Sequence, residues 1–198
     1  MGIAEIILKF GQLKRIPRIG WLVRGVCKAE VESVAEHVSR TVFTAMILAD
    51  QTAKMQKVNI PLTLRMAILH DLPEAALKDL DREAWRHLSP DNKLKHKAER
   101  AVLSEFLQGI PEDLRKLYQK IWRKYRGRSS VETQIVEAAD KLEMAFQAYE
   151  YMAAGYPFAT VREIWEGAKR MVYSNGLPAA VSLWEELEAM QRKIELNL

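Results

Sequence analysis

The residues best suited to chemistry are His70 and Asp71, adjacent at the end of the apolar stretch LRMAILHDLPEA. Burying a histidine and an aspartate without partners is expensive, whereas an imidazole nitrogen and a carboxylate oxygen together suit a divalent first-row metal. The dipeptide alone is common. It gains weight from His37 in ESVAEH and Asp140 in VEAADKLEMA, each set in an apolar helical pattern. Taken singly, His37 reads as a partnered core histidine, Asp140 as a buried carboxylate facing an arginine, and Glu74 as a solvated helix residue. Together, the order His, His-Asp, Asp reads as a metal site. Glu74 follows His70 by four residues and Asp71 by three, which on a continuous helix sets a further carboxylate beside both. Pro73 stands between them and can kink that helix. A metal with a spare carboxylate is what metal-assisted hydrolysis requires: the metal acidifies a bound water and the carboxylate moves the proton. Asp79, five residues beyond Glu74, points elsewhere on a straight helix and back toward the cluster only near a helix end. His87 and His96 sit among cationic residues and read as surface positions.

Helices must position these groups, because apolar residues step by three and four almost throughout. The spacing predicts helices over 2–14, 33–55, from Pro61 to about Leu77, and over 81–88, 91–108, 111–126, 130–153, 159–173 and 177–196. Between the first two lies the irregular stretch PRIGWLVRGVCKAE, marked by Pro17, Gly20 and Gly25. A compact domain seldom keeps so long a connection unless it has a function or covers something. There is no repeat and no strand-like alternation, so the expected fold class is all-α.

At 198 residues the chain is most simply one domain, and 48% apolar with 28% charged residues is ordinary for a globular protein. No apolar run approaches the roughly 20 residues needed to cross a bilayer. The N-terminus carries Glu5 and lacks a small-residue cleavage site, so it does not read as a signal peptide. Cys27 is the sole cysteine, which excludes an intrachain disulfide and makes a reducing cytoplasm the expected location. A net charge of +4 is too mild to indicate nucleic acid by itself.

With these residues in hand the chain resembles the metal-dependent HD-domain phosphohydrolases, and within them the 5′-deoxynucleotidase branch. The resemblance covers roughly residues 8–150 and is strongest in GQLKRIPRIGWLVRGV, ESVAEHVSR, LHDLPEAALKDL and around Asp140. It implies one HD-domain helical bundle over 1–198, with a metal-binding core about 31–150 and C-terminal helices 159–196 packed on it. The metal ligands carry over onto His37, His70, Asp71 and Asp140, and the catalytic carboxylate onto Glu74. Substrate contacts carry over onto Arg18 for phosphate, Trp21 for the sugar face and Asp79 for the sugar. Ile19 and Gly20 separate Arg18 from Trp21, as in eukaryotic-type members, and Lys78 replaces the glycine usual before the aspartate. The implied substrate is a deoxyribonucleoside 5′-monophosphate and the cofactor a divalent cation (Mn, Co, Ni, Zn or Mg). A second ion touching Glu74 and Asp79 is left open, and a homodimer is expected. Read from residue types alone, Arg18 offers a fork for phosphate and Trp21 is a core anchor.

LRKLYQKIWRKYRGR, residues 114–128, carries seven basic residues interleaved with Tyr118, Trp122 and Tyr125. Such a mixture can bind nucleic acid, but the apolar positions follow helical spacing, which favours an amphipathic helix with a solvated basic face. Two alternatives to the deoxynucleotidase reading therefore stand: hydrolysis of another phosphoester, or a non-catalytic helical module binding nucleic acid through this stretch.

Overall fold

In the computed structural model the described residues are 2–79, 85, 87–88 and 91–196. They form an all-α protein whose helices are α1 (Ile3–Phe10), α2 (Ile19–Leu22), α3 (Val34–Thr52), α4 (Ile60–Leu69), α5 (Glu74–Leu77), α6 (Lys93–Phe106), α7 (Glu112–Arg126), α8 (Val131–Ala153), α9 (Phe158–Asn175) and α10 (Pro178–Leu196). Short 3-10 turns follow α1 at Gly11–Arg15 and α6 at Leu107–Gly109. Of the helix expected over 81–88, Trp85, His87 and Leu88 are helical; the rest lies outside the described residues. Among the described residues no helix is long and apolar enough to cross a membrane.

Local chemistry sets several boundaries. Asn59 caps α4, its side-chain oxygen accepting the Leu62 N–H at 3.0 Å, with Pro61 in the first turn. Ser130 caps α8 by accepting from Thr133 N–H. Gly176 ends α9 at φ 72°, the left-handed conformation a residue without Cβ adopts at no cost.

One helix departs from expectation. The pattern running from Pro61 to about Leu77 is not continuous: α4 ends at Leu69 and α5 begins at Glu74. Pro73 has no N–H to donate and its ring opposes the carbonyl four residues back, at Leu69. The chain instead tightens into three-residue steps, with Leu72 N–H on Leu69 O at 3.2 Å and Glu74 N–H on Asp71 O at 3.1 Å.

The chain forms two compact units. One comprises the residues up to Val38 together with Ile68–Arg123. Here α5 packs on α6 and on the Gly11–Arg15 turn. Leu13, Ile16, Trp21, Val26, Val34, Leu103, Phe106 and Leu107 are buried in this unit. Pro17 pairs with Ser33 in an isolated antiparallel bridge, Arg18 N–H donating to Glu32 O at 2.9 Å and Val34 N–H to Ile16 O at 2.8 Å. The irregular stretch is thereby tied down at both ends. α1 keeps Ile3, Ile7 and Leu8 exposed.

The other unit comprises Ser39–Ala67 and Lys124 onward. In it α9 and α10 both pack on α8, and the rings of Trp165 and Trp184 lie 5.0 Å apart. Arg40 joins α3 to α8: its guanidinium meets Glu143 Oε1 at 3.0 Å, Gln147 Oε1 at 2.6 Å and Glu150 Oε1 at 2.6 Å. Those three acceptors share one face of α8 by their spacing of four and three.

Candidate metal centre and active site

His37 is aimed by the start of α3. Ser33 Oγ accepts the Glu36 N–H at 3.2 Å while Glu36 Oε2 accepts the Ser33 N–H at 2.6 Å, a reciprocal capping box that fixes where the helix begins. His37 follows it at once and is fully buried. His70 and Asp71 sit in the tight turn that Pro73 forces after α4, so both leave the helix axis early.

The three side chains converge. His37 Nε2 and His70 Nε2 are 3.4 Å apart, and Asp71 Oδ2 lies 3.5 Å from the former and 3.4 Å from the latter. A point equidistant from atoms so placed is about 2.0 Å from each, the bond length that metal–imidazole and metal–carboxylate pairs adopt. The donors also suit a divalent cation chemically, two imidazoles and a carboxylate. The cluster can therefore hold a metal ion.

Arg18 approaches from the irregular stretch. Its Nη1 is 3.5 Å from Asp71 Oδ2 and 3.3 Å from Asp79 Oδ1, and Asp79 Oδ2 accepts the Ile19 N–H at 2.8 Å. Asp79 is turned back to this position because α5 ends at Leu77 and Lys78 adopts φ 63°, ψ 169°, a conformation that glycine tolerates and lysine does not. Burial raises the Asp79 pKa above its ordinary value against the pull of Arg18.

Glu74 opens α5 and is buried, and its Oε2 has no hydrogen-bond partner among the described residues. Desolvation, with the charges of Asp71 and Asp79, pushes its pKa up to about 8. An acid poised near neutrality, beside three donor atoms that can hold a metal, can both accept and return a proton.

Trp21 is only 1% exposed, and its indole N–H donates to Glu32 Oε1 at 2.7 Å. Such enclosure is what an aromatic core anchor shows. Asp140 lies on α8 in the other unit, its Oδ2 at 2.8 Å from Lys141 Nζ. His87 and His96 are exposed. On α7, Ile121 and Trp122 are buried, while Lys116 pairs with Glu112 and Lys124 with Glu132, as an amphipathic helix with a solvated face does.

Sequence reasoning passed over Glu32 and the Ser33-x-x-Glu36 box. The second had a legible signal, a serine followed three residues later by glutamate before an apolar run. It also passed over Lys95, half-buried on α6 and among the charges acting on Glu74.

Fold and site together define an all-α protein that gathers His, His-Asp ligands into one donor cluster. The chain belongs to the HD domain family, which residues 10–179 match. Human 5′-deoxynucleotidase HDDC2 is 32% identical over 190 residues, covering 94% of this chain and 86% of the relative. Mouse 5′-deoxynucleotidase HDDC2 is 35% identical over 150 residues, 76% of this chain and 70% of the relative. A solved protein from Pyrococcus horikoshii superposes with a TM-score of 0.75 at 32% identity, covering 96% of this chain and 99% of its own.

Proposed function

We propose that this protein hydrolyses deoxyribonucleoside 5′-monophosphates to a deoxynucleoside and phosphate. The observation that carries the reading is the triangle of His37, His70 and Asp71 donor atoms with the buried carboxyl of Glu74 one short turn away. The names of the human and mouse relatives support the substrate class. His37, His70 and Asp71 would hold one divalent cation, with Asp140 proposed as fourth ligand on the strength of the His, His-Asp, Asp sequence pattern. When bound, such an ion acidifies water and offsets negative charge on phosphate.

The chain's own groups do the rest. Glu74, with its pKa near neutrality, takes and returns the proton. Arg18, already oriented by Asp71 and Asp79, presents a forked cation to phosphate oxygens. Asp79 is proposed to meet the sugar while holding the Ile19 amide. Trp21, its indole N–H bonded to Glu32, is proposed to pack against the sugar. The single cysteine supports a cytoplasmic location, and family resemblance a homodimer, the latter checked by light scattering.

Phosphate release from deoxynucleoside 5′-monophosphates, their ribose counterparts and cyclic nucleotides, each with Mn, Co, Ni, Zn or Mg, tests the proposal. The expected result is a kcat/KM for dAMP about tenfold or more above that for AMP. Equal turnover of the two, or preference for a cyclic or other phosphoester, overturns it.

A further inference from the structure

Asp79 is engaged by the protein on both of its oxygens. Oδ1 lies 3.3 Å from Arg18 Nη1 and Oδ2 accepts the Ile19 N–H at 2.8 Å, so one carboxylate grips the arginine side chain and the backbone that follows it. The two side chains are only 13% and 16% exposed, which spares their pairing the solvent screening that weakens surface ion pairs. The partners are 61 residues apart in the chain. Bringing them together strains the backbone, since Lys78 holds φ 63°, ψ 169° immediately before Asp79. Such strain persists only where neighbouring contacts over-determine it, and the grip on Arg18 and Ile19 supplies two of them.

Asp71 also meets Arg18, at 3.5 Å, but through Oδ2, the oxygen that faces His37 and His70. A divalent ion held by that oxygen would be the largest charge nearby and would offset its pull on the guanidinium. Asp79 is not one of the three donors of the triangle. Its hold on Arg18 is therefore the one that a bound metal leaves in place.

We propose that Asp79 is the positioning residue for Arg18: it sets the direction of the guanidinium, and through it the affinity of the site for phosphate, separately from any contact with the sugar. The inference rests on the phosphomonoester reading above, in which Arg18 meets the phosphate, and gives Asp79 a second task there. The sign of one effect separates the two tasks. A carboxylate beside an incoming phosphate dianion repels it, so removing a residue that served only the sugar would leave phosphate affinity unchanged or improve it. Removing a residue that aims the arginine does the opposite. The guanidinium regains rotamer freedom, and ordering it on phosphate then opposes binding.

Calorimetric titration of metal-loaded protein with inorganic phosphate, which has no sugar, reads that sign. Asp79→Ala should weaken phosphate binding about tenfold or more, with metal content unchanged. Should that variant fold poorly, Asp79→Asn keeps the size and an oxygen for the Ile19 N–H, and should still weaken binding by about threefold or more. In an Arg18→Ala background either substitution should change phosphate affinity by less than about twofold, because no guanidinium remains to be aimed. Affinity within about twofold of wild type, or improved, in the folded variants overturns the proposal. So does an equal loss in the Arg18→Ala background, or a parallel loss of metal, which would place Asp79 in the metal site. Turnover of a 2′,3′-dideoxynucleoside 5′-monophosphate gives a second reading: Asp79→Asn should lower its kcat/KM although the 3′-OH is missing. A loss confined to substrates with a 3′-OH would make Asp79 a sugar contact alone and overturn the proposal. Phosphate binding that depends on Asp79 through Arg18, in a protein that cleaves no deoxynucleotide, would sink the substrate reading and leave this one standing.

Discussion

The Nε2 atoms of His37 and His70 stand 3.4 Å apart, although 33 residues separate them in the chain. Both rings are buried. Two imidazole nitrogens this close repel if both carry protons and lose hydrogen bonding if both present lone pairs, so without an ion one ring must donate to the other. A divalent cation held by both nitrogens would replace that contact, and Asp71 Oδ2, within 3.5 Å of both, would be a third donor.

Metal content should follow from that triangle. Wild-type protein is expected to carry about one first-row ion per chain, and Asp71→Ala and His70→Ala to lose it. Elemental analysis after gentle purification measures this. Saturating metal should also raise the stability of wild type, by about 2.7 kcal/mol at a free concentration 100 times Kd, and leave Asp71→Ala unmoved. Equal metal in both proteins would remove the assignment.

Glu74→Gln separates two consequences of one carboxyl. With metal bound, kcat should fall about 10²-fold or more while metal content persists. In metal-free protein the effect is on stability. Below pH 4.5 the carboxyl is neutral in folded and unfolded chains alike; between 4.5 and about 8 the unfolded chain releases the proton and the folded one keeps it. Stability contributed by the neutral group is therefore present at low pH and lost as pH rises through about 8. Thermal melts should show Glu74→Gln level with wild type near pH 4.5 and more stable by a few kcal/mol at pH 8.5, of the order that a rise from 4.5 to about 8 implies. A constant offset across that range would contradict the burial argument.

Lys78→Gly should stabilise the protein. At φ 63°, ψ 169° the lysine occupies backbone space open essentially to glycine, a strain of about 1–3 kcal/mol. Against it stands the extra freedom glycine brings to the unfolded chain, about 0.4–1 kcal/mol. The net expectation is a gain of about 1 kcal/mol in denaturant unfolding. Lys78→Ala keeps the strain and should show no such gain.

Arg40→Ala should be among the costly substitutions, at about 3 kcal/mol, because Glu143 is fully buried against its guanidinium. Arg40→Lys loses the fork that reaches Glu143, Gln147 and Glu150 together and should recover only part. Chemical denaturation of these variants and of Arg40→Met with Glu143→Met checks the cause. The double variant should be more stable than Arg40→Ala.

Much of this was legible before any coordinates. Helical periodicity marks Val34–Thr52, Val131–Ala153 and the C-terminal helices to within a few residues, because each buries one face and exposes the other. Ligand types and their order pointed to the metal, since imidazole and carboxylate on apolar helical patterns lack a comfortable core explanation. Pro73 marked where the helix after Pro61 could kink, although the pattern read on to about Leu77.

Other features depended on distance in space. Trp21 reads as a core anchor from its type and as a sugar wall from the resemblance, and only the structure shows Glu32 accepting its indole N–H. Lys95 reads as one cation among several at the start of α6; only the packing of α6 on α5 gives it a relation to Glu74. The sequence by itself determined the all-α class and the candidate ligand types, because periodicity and side-chain chemistry are local properties; it allowed a kink at Pro73 but read one helix to about Leu77. The tertiary structure alone decided that His37 meets His70 and that Asp79 turns back to Arg18, because each requires residues far apart in the chain to be brought together against the loss of chain entropy.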